Sequence, residues 1–162
     1  MRVFPRYQGP PLLTQICGVE NLTAAWRQVR RNIQFERRTW RAGVDNVTIR
    51  DFEDDWATQM TCLATELHDG TYRPALARHF TIAKKDGGTR SLALLTVRDR
   101  IAQRATQQRL APVFEPLFLE CSYGCRPGVG VPEAVERVRR HAACGSAWAV
   151  DADIAAYFDT ID

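Results

Sequence analysis

The apolar residues change period twice along the chain, which limits the fold to helices that carry a β-hairpin. Leu22, Trp26, Val29, Ile33 and Trp40 recur at helical spacing, so the first amphipathic helix runs through them until AGVDN, residues 42 to 46, breaks it. Ile49, Phe52, Trp56, Met60, Leu63 and Leu67 repeat the pattern. Thr48 stands as N-cap of this second helix, with Asp51 three residues on, and Gly70 is its stop. RPALARHFTIAKKDGGTRSLALL then alternates through Leu76, Arg78, Phe80 and Ile82, turns at DGG and resumes in SLALL. That is the pattern of a hairpin whose tip carries Lys84, Lys85 and Arg90. Helical spacing returns at Thr96, with Val97, Ile101, Ala105 and Gln108 inward, Arg98, Arg100, Arg104 and Arg109 outward, and Pro112 ending or kinking the helix.

The rest is more irregular. FEPLFLECSYGCRPGVGVP, residues 114 to 132, reads as a loop with ordered anchors. Pro132 suits the first turn of a fourth helix, PEAVERVRRHAAC, closed by Gly145. AWAVDADI reads as a buried strand with carboxylates at its C-terminal end. The expected class is α+β.

Charge narrows the partners. A net charge of +3 is modest, but arginine greatly outnumbers lysine and clusters in the first helix at Arg27, Arg30, Arg31, Arg37, Arg38 and Arg41. Guanidinium groups fork onto phosphates and stack on bases, so nucleic acid becomes a candidate partner beside a plain solvated basic face. The five cysteines, an odd number without regular spacing, read as reduced and buried thiols of a cytoplasmic protein. Cys121, Cys125, His141 and Cys144 offer soft ligands, but their spacing is unlike that of a structural zinc site. MRVFPRYQGPPLL lacks the apolar centre of a signal peptide, and no run approaches 18 apolar residues, so neither export nor a membrane span is expected.

Two features carry chemistry. A cationic hairpin tip with glycines can fold over a triphosphate, although such tips also serve solubility alone. Alternation in the last strand puts Asp151 and Asp153 on one side. Phosphoryl transfer to a 3′ hydroxyl needs two divalent ions, held by at least one further acidic group on a neighbouring strand.

The order of blocks GVDNVT, LHDGTYRP, IAKKDGGTRSLALLTVRDRIAQRA, FEPLF, SYGCRPG and AWAVDADIAAYFDTID resembles the N-terminal half of a bacterial reverse transcriptase, of the group II intron-encoded or CRISPR-associated type. The resemblance covers about residues 20–162. Before it, residues 1–18 form a Pro/Gly-rich lead; the resemblance implies a fingers region over 19–145, and the opening strand of the palm with its catalytic block over 146–162. It further implies that Asp153 is the first metal-binding aspartate, that the Ile154 carbonyl shares the metal, and that Phe158 lies under the sugar and excludes a 2′ hydroxyl. Lys84 and Arg90 match the cations that grip the incoming triphosphate, and Arg126 in SYGCRPG matches an arginine near template and nucleotide. Arg98 and Arg100 resemble residues near the template backbone, and the basic first helix, with Arg30 and Arg31, matches an RNA-contacting extension. The implied cofactor is a pair of Mg2+ ions, with Mn2+ as a substitute.

Departures qualify the resemblance. Leu95 or Thr96 stands where the family has proline, Cys125 where it has phenylalanine, and Ala155 where a lysine is common in group II intron enzymes. No aromatic-x-Asp-Asp block follows within the 162 residues, nor does a thumb. The chain alone is therefore expected to be inactive. Its partners would be template RNA, DNA primer, deoxynucleoside triphosphate and a complementing palm and thumb polypeptide. The alternative is a non-catalytic, RNA-binding fingers module.

Overall fold

The computed structural model describes residues 9–33, 42–83, 87–155 and 157, and these divide into two compact units, one ending at Leu117 and the other beginning at Phe118. The first unit contains α1 (Leu12–Cys17), α2 (Val19–Arg31), α3 (Ile49–Asp54), α4 (Trp56–His68), β1 (Arg78–Ala83), β2 (Thr89–Leu94) and α5 (Val97–Phe114), with a 3-10 turn over Glu115–Leu117. The second contains α6 (Val131–Ala143) between irregular segments. Among the described residues helices accompany one antiparallel hairpin, which makes the fold α+β, as the change of period requires.

The core of the first unit assembles from the predicted stripes. Leu22, Trp26 and Val29 of α2 meet Ile49 and Phe52 of α3, Met60 and Leu63 of α4, and Val97, Ile101 and Ala105 of α5. The Trp26 and Phe52 rings lie 4.8 Å apart, centre to centre, in a tilted arrangement that aromatic quadrupoles favour. Ile33 and Trp56 pack at the edge, and Trp40 lies outside the described residues.

The N-cap chemistry is local and reciprocal. Thr48 Oγ1 accepts from the Asp51 N–H at 3.2 Å, while Asp51 accepts from the Thr48 N–H at 2.9 Å. The Thr48 hydroxyl also donates to Asp51 Oδ2 at 2.7 Å, and this bond first, then the one from the Thr48 N–H, holds the Asp51 carboxyl below its ordinary pKa. At α5, Thr96 Oγ1 accepts from the Asp99 N–H at 3.1 Å and donates to Asp99 Oδ2 at 2.6 Å. Gly43 lies so close that a Cβ would fall 2.7 Å from Thr96 Cα, and only glycine fits there.

Several expectations are corrected. Within the lead lies a helix, α1, that no apolar period marks; it follows Pro10 and Pro11, and prolines preset φ for a helical start as well as for a loop. The second predicted helix is two, α3 and α4, because Asp55 leaves helical geometry at φ −118° and ψ 29° after a run of acidic residues with weak helix preference. Pro112 does not end α5, which continues to Phe114, although proline leaves the Gln108 carbonyl without the N–H it would accept from in a helix. Of the five thiols only Cys17 is buried, and all are free. Among the described residues AWAVDADI is irregular and forms no strand, since a strand needs a neighbour to exchange hydrogen bonds with. Trp148 and Val150 are accordingly 96% and 94% exposed instead of buried.

Candidate nucleotide and nucleic-acid site

The hairpin sets the position of its tip. Arg78 pairs with Leu94 at the base and Ile82 with Arg90 near the tip, where the ladder closes at Ala83 and Thr89. Arg78 anchors the base by donating to the Ala42 carbonyl at 3.3 Å and to Asn46 Oδ1 at 2.7 Å. Asn46 adopts φ 58°, a left-handed conformation that asparagine tolerates better than most residues. Both strands stand largely in solvent, so Arg90 is exposed. Lys84 lies outside the described residues, as does Lys85.

The arginines read as facing outward divide into two kinds. Arg31, in the last turn of α2, is exposed. Arg30 is paired through Nε with Glu53 of α3. Arg98 is half-buried, and its Nη2 meets Glu66 Oε2 of α4 at 2.6 Å, so it is a tether between helices and not a free outward cation. Burial works against its charge, but the hydrogen bond and charge of Glu66 prevail and hold its pKa above the ordinary value. Arg100 donates through Nε to the Thr96 carbonyl at 3.4 Å and lines a groove of about 440 Å³ between α2 and α5, together with Arg104.

In the second unit, Arg126 organises the SYGCRPG loop from inside. Its Nη1 donates to the Leu119 carbonyl at 2.9 Å and to the Ser122 carbonyl at 2.7 Å, and its guanidinium lies 5.2 Å from the Phe118 ring centre. Cys125 and Gly128 take φ of 55° and 75°, which reverse the chain on either side of Arg126 and Pro127. Arg137 of α6 hydrogen-bonds Tyr123, which raises the arginine's pKa. No periodicity of residue type marks this contact.

Asp153 is exposed, and its Oδ1 accepts from the Ile154 N–H at 2.9 Å. A carboxylate and the Ile154 carbonyl are hard oxygen donors of the kind Mg2+ prefers, but an ion of that type takes six ligands. Among the described residues no three histidine, cysteine, aspartate or glutamate side chains gather to hold a metal. The donor set present fits part of a divalent-metal site. Phe158 lies outside the described residues.

Residues absent from the sequence-based site also meet here. Gln28 of α2 and Asn32, the residue that caps its C-terminus, line the same groove as Gln103 and Gln107 of α5. Their i to i+4 spacing is visible in the sequence, but carboxamide spacing alone does not tell a groove lining from solvated surface.

Comparison with known proteins bears on this arrangement. Residues 82–162 match the family model described as reverse transcriptase (RNA-dependent DNA polymerase). The chain is similar to Protein YkfC of Escherichia coli K12, at 36% identity over 123 residues, covering 74% of this chain and 32% of that protein. It is similar to the group II intron-encoded protein LtrA of Lactococcus lactis, at 37% identity over 97 residues, covering 59% of this chain and 16% of LtrA. A 91 kDa protein in the cob intron of Schizosaccharomyces pombe is 34% identical over 84 residues, covering 52% and 10%. The chain thus spans a third or less of the length of these curated relatives. Among the described residues no helix is long and apolar enough to cross a membrane.

Proposed function

Because the chain belongs to the reverse transcriptase (RNA-dependent DNA polymerase) family, we propose that the protein copies RNA into DNA, and that these residues take up the template and the incoming nucleotide. The match over residues 82–162 carries this reading, since it runs from the hairpin through the Arg126 loop to Asp153. Lys84 and Arg90 grip the triphosphate from the hairpin tip. Arg126 fixes the loop beside template and nucleotide, and Phe158 packs under the sugar, where its ring leaves no room for a 2′ oxygen. Arg31 and Arg100 contact the RNA backbone through their guanidinium forks, while Arg30 and Arg98 hold the helices that present them through ion pairs with Glu53 and Glu66.

Asp153 and the Ile154 carbonyl supply two oxygen ligands for Mg2+, or for Mn2+ in its place. When bound, a metal pair activates the 3′ hydroxyl and neutralises the leaving pyrophosphate. The remaining carboxylates come from polypeptide beyond the 162 residues, either in the same chain or in a complementing one. The 162 residues alone bind nucleic acid without extending a primer. The setting is the cell interior, where template RNA and nucleotides are found.

The test is primer extension on an RNA template by the longest polypeptide that carries these residues, with Asp153→Asn as the variant. Extension that the variant loses, with RNA affinity unchanged, supports the reading. RNA binding that falls with salt, accompanied by no extension even in the unaltered protein, identifies a non-catalytic RNA-binding module instead. Absence of RNA binding removes both.

A further inference from the structure

We propose that Arg78 and Asn46 are positioning residues, which together aim the hairpin of β1 and β2, and with it the cationic tip, at the incoming nucleotide. The inference rests on the reading of that tip as the grip on the triphosphate, and deepens it by naming what sets its direction. An isolated two-stranded hairpin is marginal in water, and here every residue of β1 and β2 is exposed or half-buried. Packing therefore fixes the direction of the hairpin weakly, and the base has to fix it instead. The six residues of β1 put the tip about 17 Å from Arg78 at the usual strand rise. Over that length a tilt of about 10° at the base moves the tip by about 3 Å, as far as a hydrogen bond is long.

Both legs of the hairpin meet one loop. Arg78 Nη1 donates to the Ala42 carbonyl at 3.3 Å and Nη2 to Asn46 Oδ1 at 2.7 Å, so its planar fork spans the two ends of AGVDN. Across the ladder Leu94 pairs with Arg78, and two residues on stands Thr96, 3% exposed and fixed as the cap of α5. Gly43 of the same loop lies against Thr96, where a Cβ would fall 2.8 Å from the Thr96 backbone nitrogen. Between these contacts the loop closes on itself, with the Asn46 N–H donating to the Gly43 carbonyl at 3.3 Å. It is thus seated on the buried start of α5 and holds the hairpin from there. The residue at its end has two duties. Asn46 takes φ 58°, where glycine is the unstrained choice, yet glycine has no side chain to accept from Arg78. Asparagine tolerates the left-handed backbone and supplies the acceptor as well.

Loss of this strap leaves the cations of the tip in place but spreads the free hairpin over directions of which few suit the nucleotide. Apparent affinity then falls by the competent fraction, while turnover of the occupied site does not.

The test is steady-state primer extension on an RNA template by the longest polypeptide that carries these residues, with Arg78→Ala, Asn46→Gly and Asn46→Asp as variants. Arg78→Ala and Asn46→Gly should each raise the KM for deoxynucleoside triphosphate roughly tenfold, with kcat within about twofold of the unaltered protein. Asn46→Asp keeps an acceptor for Arg78 and should bring KM back to near the unaltered value. Arg78→Ala combined with Asn46→Gly should be no worse than either alone, because both remove the same hydrogen bond. A role in stability alone predicts a lowered thermal midpoint with kcat and KM both impaired, and Asn46→Asp no better than Asn46→Gly; either result overturns the inference. An unchanged KM in Arg78→Ala and Asn46→Gly also overturns it, and leaves the triphosphate reading of the tip standing. No extension by the unaltered protein removes that reading, and the inference with it.

Discussion

Gln108 of α5 donates through Nε2 to both oxygens of Asn21, the side-chain Oδ1 at 2.9 Å and the backbone carbonyl at 3.2 Å. Asn21, 3% exposed, donates in turn to the Ala105 carbonyl at 3.0 Å and to the Ile16 carbonyl at 3.1 Å. One buried carboxamide therefore ties α1, α2 and α5 together beneath the basic surface. Removing it leaves buried acceptors and a donor unmatched, which costs about 1–3 kcal/mol. Asn21→Ala should lower the free energy of unfolding by that amount in a urea titration. Gln108→Ala in the same background should cost less than in the unaltered chain, because the two share their hydrogen bonds.

Asp99 collects donors from three places at the start of α5. Its carboxylate accepts from the Tyr72 hydroxyl, from Thr96 Oγ1 at 2.6 Å and from the Ala75 N–H at 3.3 Å. Burial first, and then the hydrogen bond to Asp99, push the Tyr72 pKa well above its ordinary value. The sign follows directly. The unfolded chain releases the tyrosine proton near pH 10 while the folded chain retains it, so stability from this group is complete below about pH 10 and is lost as pH rises beyond it. Thermal midpoints measured from pH 8 to 11 should fall more steeply in the unaltered chain than in Tyr72→Phe.

These contacts show what a sequence discloses. The helical faces were legible because apolar residues at 3.6-residue spacing must be buried together, and Leu22, Phe52, Leu63 and Ile101 lie at the centre of the core. The caps at Thr48 and Thr96 were legible or nearly so, because an acid three residues on is a local device. The partners of Arg98, Asn21 and Tyr72 were not, for each hydrogen bond joins residues 27 to 87 positions apart, and polarity carries no periodicity to announce them. Asp153 and Arg126 stood out through the resemblance of whole blocks. Their local geometry, a carboxylate turned to its neighbour's N–H and a guanidinium folded into its own loop, could not be read from residue type.

Arg98 separates tethering from RNA contact. Its bond to Glu66 joins α5 to α4, and both side chains are about one-third exposed, so the pair is worth roughly 0.5–1 kcal/mol. Arg98→Gln should lower stability by that amount and change RNA affinity little. Arg31→Gln, on the exposed end of α2, should leave stability unchanged and reduce the salt dependence of RNA binding by about 0.7 in the logarithmic slope, the value for one contact to a single strand. Denaturation and fluorescence anisotropy on the same two variants distinguish the roles.

Arg126 carries a different prediction, because its guanidinium is already engaged with the loop that holds it. Two backbone carbonyls and the Phe118 face depend on that planar group. Lysine offers a point charge in place of the fork and cannot reproduce the geometry toward two carbonyls and a ring. Arg126→Lys should therefore loosen residues 118–130 while preserving charge. Hydrogen exchange should accelerate at the Ser122 N–H, which bonds the Leu119 carbonyl at 3.0 Å, and a protease should cut this loop sooner. The core around Phe52 and Ile101 belongs to the other unit and should keep its protection. If nucleotide affinity falls together with loop protection, Arg126 acts by shaping the loop. Affinity that falls while protection persists would instead assign the guanidinium a direct contact with the nucleotide.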